Sequence, residues 1–183
     1  MAEETVQVGK YTLESLTTGM YSDPKIVYRE YIQNSVDSLE NAVSVGLIEP
    51  QSMRIDIIVN AEESYISIKD NGTGISAADA AKTLMNVGSS KKRNSNNRGF
   101  RGIGRLGGMS YCDTLTFTTS AESEKVKTVV TFDCKRLRYL LVPGEFEDMS
   151  LSAVLEEITT IDILPEKEEK HYLCVEMKDV NGF

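Results

Sequence analysis

The chain has 183 residues, of which 40% are hydrophobic and 26% are charged, as expected of one soluble domain large enough to bury a core. Its formal net charge of -8 would repel a phosphate backbone, which argues against nucleic acid as the main ligand. There is neither an apolar run long enough for a membrane span nor a basic N-terminus followed by an apolar block, so we expect a cytoplasmic protein.

The first predicted element is a long helix after the sequence YSDP. Asp23 is a candidate N-cap, Pro24 suits the first helical position, and Gly46 is a plausible end. Apolar residues at helical spacing predict its buried stripe, which is Ile32, Val36, Leu39 and Val43. A second stripe beside it is polar and consists of Glu30, Asn34 and Asp37.

This polar stripe has two interpretations. A solvated helix face is the more common origin of such a pattern. The alternative is a metal and water site, in which the amide oxygen of Asn34 binds Mg²⁺. A carboxylate one turn away would then orient or deprotonate an attacking water. The stripe alone does not decide between the two.

Two alternating segments, 53–59 and 65–70, predict an antiparallel hairpin with one buried face. The hairpin leads into DNGTG, where Gly72 and Gly74 allow positive φ and the close approach of a flat ligand. Glycine turns after strands are common, so this pattern fits a purely structural turn equally well. Asp70 adds an acceptor that could take a hydrogen bond from an exocyclic amine such as that of adenine.

The segments that follow complete an α/β domain. Ser76 and Asp79 form a capping-box pattern before a short alanine-rich helix. A polar loop over 86–97 leads into a glycine-rich segment, and we expect this loop to be a mobile lid. Three more strands are predicted in DTLTFTTS, KVKTVVTFD and HYLCVEMKDV, and two short helices in CKRLRYLL and SLSAVLEEI.

The glycine-rich segment RGFRGIGRLGG has a spacing that suits a phosphate. Gly99, Gly102 and Gly104 let backbone N–H groups face an anion, with a helix N-terminus adding its dipole. It is not a Walker A loop, because no Gly-Lys-Ser/Thr follows, and its spacing differs from the Rossmann fingerprint. Positive charge nearby favours a small, highly charged anion; it comes from Lys91, Arg98 and Arg101.

In this order the three motifs resemble those of the GHKL superfamily of ATP-binding domains, found in DNA gyrase, the ninety-kilodalton heat-shock chaperone, histidine kinases and MutL. The N box is matched by REYIQNSVDS, the first glycine box by DNGTG and the second by GFRGIG. The resemblance is closest to the chaperone in the N box and to MutL in the lid. It implies a Bergerat fold: a two-layer α/β sandwich with a mixed, mostly antiparallel sheet, helices on one face and a mobile ATP lid.

The resemblance also implies roles for individual residues. Glu30 would be the general base for the water that attacks the γ-phosphate, Asn34 would ligate Mg²⁺, and Asp37 would support the polar network beside the nucleotide. Asp70 would bind the adenine amine and Gly74 would line the base pocket. The other nucleotide contacts would come from the first glycine box, the lid and the second glycine box, namely Gly72, Ser89, Ser90, Lys91, Gly99, Arg101, Gly102, Ile103 and Gly104.

The implied function is Mg-dependent binding of ATP, with slow hydrolysis to ADP that drives lid closure and dimerisation or rearrangement of a longer protein. Residues 1–183 are expected to be its single N-terminal ATP-binding domain, with no nucleic-acid or membrane partner. Two departures from the family pattern stand out. The Gly-Thr pair that commonly opens the last strand is replaced by KHYLCVEM. The chain also lacks the domain whose lysine reaches the γ-phosphate in gyrase and MutL, so we expect slow turnover.

Two other functions remain open. The domain could be a nucleotide-sensing or scaffold module without hydrolysis, although the presence of Glu30 argues mildly against this. A histidine-kinase catalytic domain is less favoured for two reasons. Kinase relatives usually lack this glutamate, and their catalytic domain follows a phosphoacceptor helix that we do not find upstream of the N box in this sequence.

Overall fold

The computed structural model describes Tyr11 and residues 23–85 and 104–181. In chain order the elements are α1 (Pro24–Ser44), β1 (Ile55–Asn60), β2 (Tyr65–Asp70), α2 (Ala77–Met85), β3 (Thr114–Ser120), β4 (Val126–Asp133), α3 (Cys134–Leu140), α4 (Leu151–Ile158), β5 (Thr159–Pro165) and β6 (Tyr172–Lys178). Short 3₁₀ helices lie at Pro50–Ser52 and Gly104–Ser110. None of the described helices is both long and apolar enough to cross a membrane.

The strands form a six-stranded sheet in the order β1-β2-β6-β3-β4-β5. All five pairings between the described strands are antiparallel, which confirms the predicted α/β sandwich with a mostly antiparallel sheet. The predicted hairpin, the three later strands and the three shorter helices are all present. Strand β5 was not predicted, because it begins at Thr159 directly after α4 ends at Ile158, with no turn residue between them.

The core lies between the helices and one face of the sheet. Alternate residues of the inner strands form this face, and eight of them belong to the core, namely Ile66, Ile68, Leu115, Phe117, Val130, Phe132, Val175 and Met177. The helices pack onto it with side chains that include Val27, Tyr31, Ala80, Leu84, Leu137 and Val154. The ring of Phe117 contacts those of Tyr31 and Phe132 edge to face, with centroids 6.2 and 6.1 Å apart.

Helix α1 begins where the sequence predicts. The side chain of Asp23 accepts a hydrogen bond from the backbone N–H of Lys25 at 2.9 Å, and Pro24 opens the helix. The chain leaves the helix through Gly46, whose φ is +74°. The capping-box prediction for α2 is also confirmed, because the backbone N–H of Asp79 donates to the Ser76 hydroxyl at 3.2 Å.

The predicted buried stripe of α1 is wrong in its rotation. The buried residues are Val27, Tyr31, Ser35, Leu39 and Ala42, so only Leu39 of the predicted stripe is among them. The other three, Ile32, Val36 and Val43, are half-buried. The helix turns Tyr31 and Ser35 inward because each meets a polar group of another segment. As a result the polar stripe is half-buried, whereas Glu40 on the same helix is exposed.

The hairpin prediction is correct in pairing but only partly correct in burial. Ile66 and Ile68 of β2 are buried as predicted. Their partners on β1, Val59 and Ile57, are 61% and 51% exposed. Strand β1 lies at the edge of the sheet, and a largely apolar groove of about 400 Å³ separates it from α1 among the described residues.

Candidate functional site

Asp70 is a buried acidic residue at the start of the DNGTG turn. It ends β2, is 1% exposed, and accepts a hydrogen bond at Oδ1 from the backbone N–H of Gly72 at 2.9 Å. Its second oxygen, Oδ2, is buried and has no hydrogen-bond partner among the described residues. Buried polar atoms are nearly always paired, so an orphaned carboxylate oxygen requires an explanation. A ligand that donates a hydrogen bond would satisfy it.

The environment of this carboxylate disfavours its charge. Burial raises the pKa of Asp70 above its usual range, and the Gly72 N–H, the hydroxyls of Ser35 and Ser38 and the Leu173 N–H offset part of that effect. The two hydroxyls come from α1, which lies over the end of β2. Neither of them makes a hydrogen bond to Oδ2. The ligand-free domain therefore holds a carboxylate that is only partly stabilised.

We expect the stability of the Asp70→Asn variant relative to the wild type to increase from acidic to neutral pH in the ligand-free domain. The pKa of Asp70 is higher in the folded than in the unfolded protein, so the folded state holds its proton to higher pH. Wild-type stability therefore falls as pH rises from the unfolded-state pKa through the folded-state pKa, and then levels off. The asparagine variant lacks this component.

Urea unfolding of both proteins across this pH window measures the effect, because the remaining ionisable groups cancel in the difference. A difference that does not change with pH would contradict the assignment of a raised pKa to Asp70.

The glycines of DNGTG let this turn pack against its surroundings. A side chain at Gly72 would collide with Ser38, whose carbonyl carbon would lie 2.7 Å from the added Cβ. Gly74 has a φ of +62°, and a Cβ there would collide with the backbone oxygens of Ser120 and Tyr172. Positive φ is thus confirmed for Gly74, whereas Gly72 is required for its small size against α1.

The end of the second glycine box meets the N box. A Cβ at Gly104 would lie 2.6 Å from Oε2 of Glu30, so the glutamate carboxylate is next to the backbone at this point. The hydroxyl of Tyr31 accepts the Gly108 N–H at 3.1 Å and donates to the Arg105 carbonyl at 2.9 Å. These two bonds fix the 3₁₀ helix Gly104–Ser110 against α1.

The polar stripe of α1 connects the two glycine boxes. Glu30 faces Gly104, and Ser38, next to Asp70 and Gly72, lies about 12 Å further along the helix axis. Between these ends are the half-buried Asn34 and Asp37, and Oδ1 of Asp37 accepts a hydrogen bond from Nε2 of Gln33 at 2.9 Å. The site is therefore an elongated polar wall with a carboxylate near each end.

Not every predicted site residue can be placed. The structure brings together Glu30, Asn34, Asp37, Asp70, Gly72, Gly74 and Gly104. The other seven lie outside the described residues, and they are Ser89, Ser90, Lys91, Gly99, Arg101, Gly102 and Ile103.

Two residues that the sequence did not single out hold the DNGTG turn in place. The Nδ1 atom of His171 lies 2.8 Å from the Gly72 carbonyl oxygen. The hydroxyl of Thr119 accepts the Ile75 N–H at 2.8 Å and donates to the Tyr172 carbonyl at 2.9 Å. The only sequence signal for either was the presence of the sole histidine near the start of the last strand.

Comparison with known proteins bears on this arrangement. Residues 21–141 match the family described as Histidine kinase-, DNA gyrase B-, and HSP90-like ATPase. Chaperone protein HtpG of Rhodospirillum rubrum is 31% identical over 142 residues, covering 72% of this chain and 20% of the relative. HtpG of Wolinella succinogenes is 26% identical over 144 residues, covering 68% and 23%. HtpG of Acinetobacter baylyi is 30% identical over 84 residues, covering 43% and 13%.

The chain thus spans less than a quarter of the length of each of these relatives. All three are chaperones, in agreement with the resemblance of the N box. The family match covers more than half of the chain and includes the N box and both glycine boxes. The chain belongs to the histidine kinase-, DNA gyrase B- and HSP90-like ATPase family.

Proposed function

We propose that this domain binds ATP with the adenine at Asp70 and the phosphates at the Glu30 end of α1. The orphaned Oδ2 of Asp70 carries the proposal, because the exocyclic amine of adenine supplies the missing donor. Gly74 lets the neighbouring turn pack closely against the backbone of Ser120 and Tyr172, which holds this turn in place beside the carboxylate. A hydrogen bond to an ionised acceptor in a dry site is among the stronger ones.

The other end of the polar wall suits phosphate chemistry. Glu30 lies against Gly104, where the second glycine box ends, so a carboxylate stands beside backbone suited to an anion. In this position Glu30 would accept the proton of the water that attacks the γ-phosphate. Asp37 would support the polar network through its position on the same stripe.

The residues present also fit magnesium. Among the described residues no group of three or more His, Cys, Asp or Glu side chains could hold a metal. Magnesium requires no such group, because it keeps several waters and binds through few protein oxygens and the substrate phosphates. Asn34 would be its protein ligand, and the bound ion would offset negative charge on the phosphates.

We further propose that ATP binding and slow hydrolysis change the conformation or association of a longer protein. The relatives named above are chaperones, and the chain spans less than a quarter of each. In this proposal residues 1–183 form its N-terminal ATP-binding domain, the polar loop 86–97 closes over the nucleotide, and two copies associate. Binding energy available only in the closed state would supply the coupling.

Calorimetric titration with a non-hydrolysable ATP analogue and Mg²⁺ tests the proposed site. We expect saturable binding by the wild type and its loss in Asp70→Ala. The matched control is Asp162→Ala, which removes an exposed aspartate of β5 and should leave the affinity unchanged. Absence of binding by the wild type, or equal binding by Asp70→Ala, would overturn the proposal.

A further inference from the structure

We infer that His171 is a positioning residue for base recognition, which holds the turn that orients the Asp70 carboxylate. The inference rests on the proposed function, because it assigns the residue that supports the adenine-binding end of the same site. It concerns a residue that the family motifs do not include.

The contact between His171 and Gly72 has a defined direction. A carbonyl oxygen can only accept, so the Nδ1 atom 2.8 Å from it must carry the proton and donate. This contact therefore assigns the ring tautomer in which Nδ1 carries the proton. The N–H of Gly72 in turn donates to Oδ1 of Asp70 at 2.9 Å. Both polar groups of Gly72 are therefore bound, one to His171 and the other to Asp70.

This chain of bonds fixes the direction of the orphaned oxygen. Because Oδ1 of Asp70 is held by Gly72, the carboxylate cannot rotate without breaking that bond, and Oδ2 keeps one orientation. Gly72 has no side chain that could lock the turn in place. His171 supplies an anchor from the position directly before β6, a strand hydrogen-bonded to β2 on one side and to β3 on the other.

The pairing of β6 shows which side chain the last strand presents beside Asp70. Leu173 pairs with Asp70 on β2 and with Thr119 on β3, so its side chain is on the helix side of the sheet. At this level the last strand presents an aliphatic group instead of the hydroxyl of the expected Gly-Thr pair. The polar groups that anchor the turn come from two neighbouring positions instead: His171, directly before β6, and Thr119 on β3.

Loss of the imidazole should leave the fold intact. His171 is half-buried and precedes β6, whose backbone bonds to both neighbouring strands do not involve the ring. His171→Leu removes the donor while keeping an apolar side chain. His171→Asn keeps a donor, because the asparagine Nδ2 atom takes nearly the place of Nδ1. Lys170→Ala, at the exposed neighbouring position, is the control.

The three variants and the wild type are compared by ADP titration, steady-state ATPase kinetics and amide NMR of Gly72 and Gly74. His171→Leu is expected to weaken ADP binding about two- to tenfold, the usual effect of one hydrogen bond. KM for ATP should rise by a similar factor with kcat unchanged, because Glu30 lies at the other end of α1. His171→Asn should restore both the affinity and the glycine amide resonances.

Inorganic tripolyphosphate serves as the probe that lacks a base, and His171→Leu should leave its affinity unchanged. If the wild type binds no adenine nucleotide, the proposed function fails and this inference fails with it. If the wild type binds but His171→Leu binds equally well, only the inference is overturned. Failure of asparagine to restore affinity, or an equal loss for tripolyphosphate, would also overturn it.

Discussion

Glu30→Ala is expected to abolish measurable ATP turnover while ATP binding is retained. The Glu30 carboxylate lies at the phosphate end of the proposed site, beside Gly104. A general base contributes about a hundredfold to ten-thousandfold to such a reaction, so its removal should lower kcat by at least about a hundredfold. The affinity for ATP should change little, because the proposed adenine contacts at the Asp70 end remain.

A phosphate-release assay at saturating ATP, paired with calorimetry, separates the two effects. Glu40→Ala is the matched control, since Glu40 belongs to the same helix but is exposed. It should turn over like the wild type. Full turnover in Glu30→Ala would exclude Glu30 as the base. A wild type that binds ATP without any turnover would favour the nucleotide-sensing module over the ATPase.

Gly74→Ala is expected to cost far more stability than an alanine at another glycine of positive φ. Gly46 provides the comparison, because its φ is +74° and no atom lies within 4 Å of where a Cβ would be. Gly46→Ala should therefore show only the left-handed penalty of about 1–2 kcal/mol. At Gly74 the added Cβ would also collide with backbone oxygens of Ser120 and Tyr172, which a strand pairing cannot easily move.

Overpacking adds about 1–3 kcal/mol, so the total loss for Gly74→Ala should reach about 2–5 kcal/mol. The displaced turn should also weaken ATP binding, whereas Gly46→Ala should bind normally. Urea unfolding and calorimetry on both variants provide the measurements. Equal losses of stability in the two variants would show that the close packing at Gly74 does not constrain the turn.

Much of the fold follows from local sequence signals. Asp23, Pro24 and Gly46 mark the bounds of α1, and Ser76 marks the start of α2, because caps depend on neighbouring residues alone. The resemblance of the three motifs to those of the GHKL superfamily implied the sandwich and the elements that carry the site. The roles of the individual site residues stay predictions.

Other features depend on partners distant in the chain. The rotation of α1 follows from Tyr31 bonding to the 3₁₀ helix Gly104–Ser110 and from Ser35 facing Asp70, and helical periodicity contains neither contact. The contact between His171 and the Gly72 carbonyl joins residues that are 99 positions apart in the chain. The exposure of Ile57 depends on β1 lying at the sheet edge, which alternation cannot reveal.

The dry, unpaired oxygen of Asp70 has a consequence for discrimination between purines. Folding already removes water from this carboxylate, so a ligand need not displace that water when it binds. In the proposed pose, guanine would present a carbonyl oxygen where adenine presents its amine. Two acceptors would then face each other in a site from which water is excluded, and neither could find a donor. The same oxygen would thus select adenine both by attraction and by repulsion of its closest competitor.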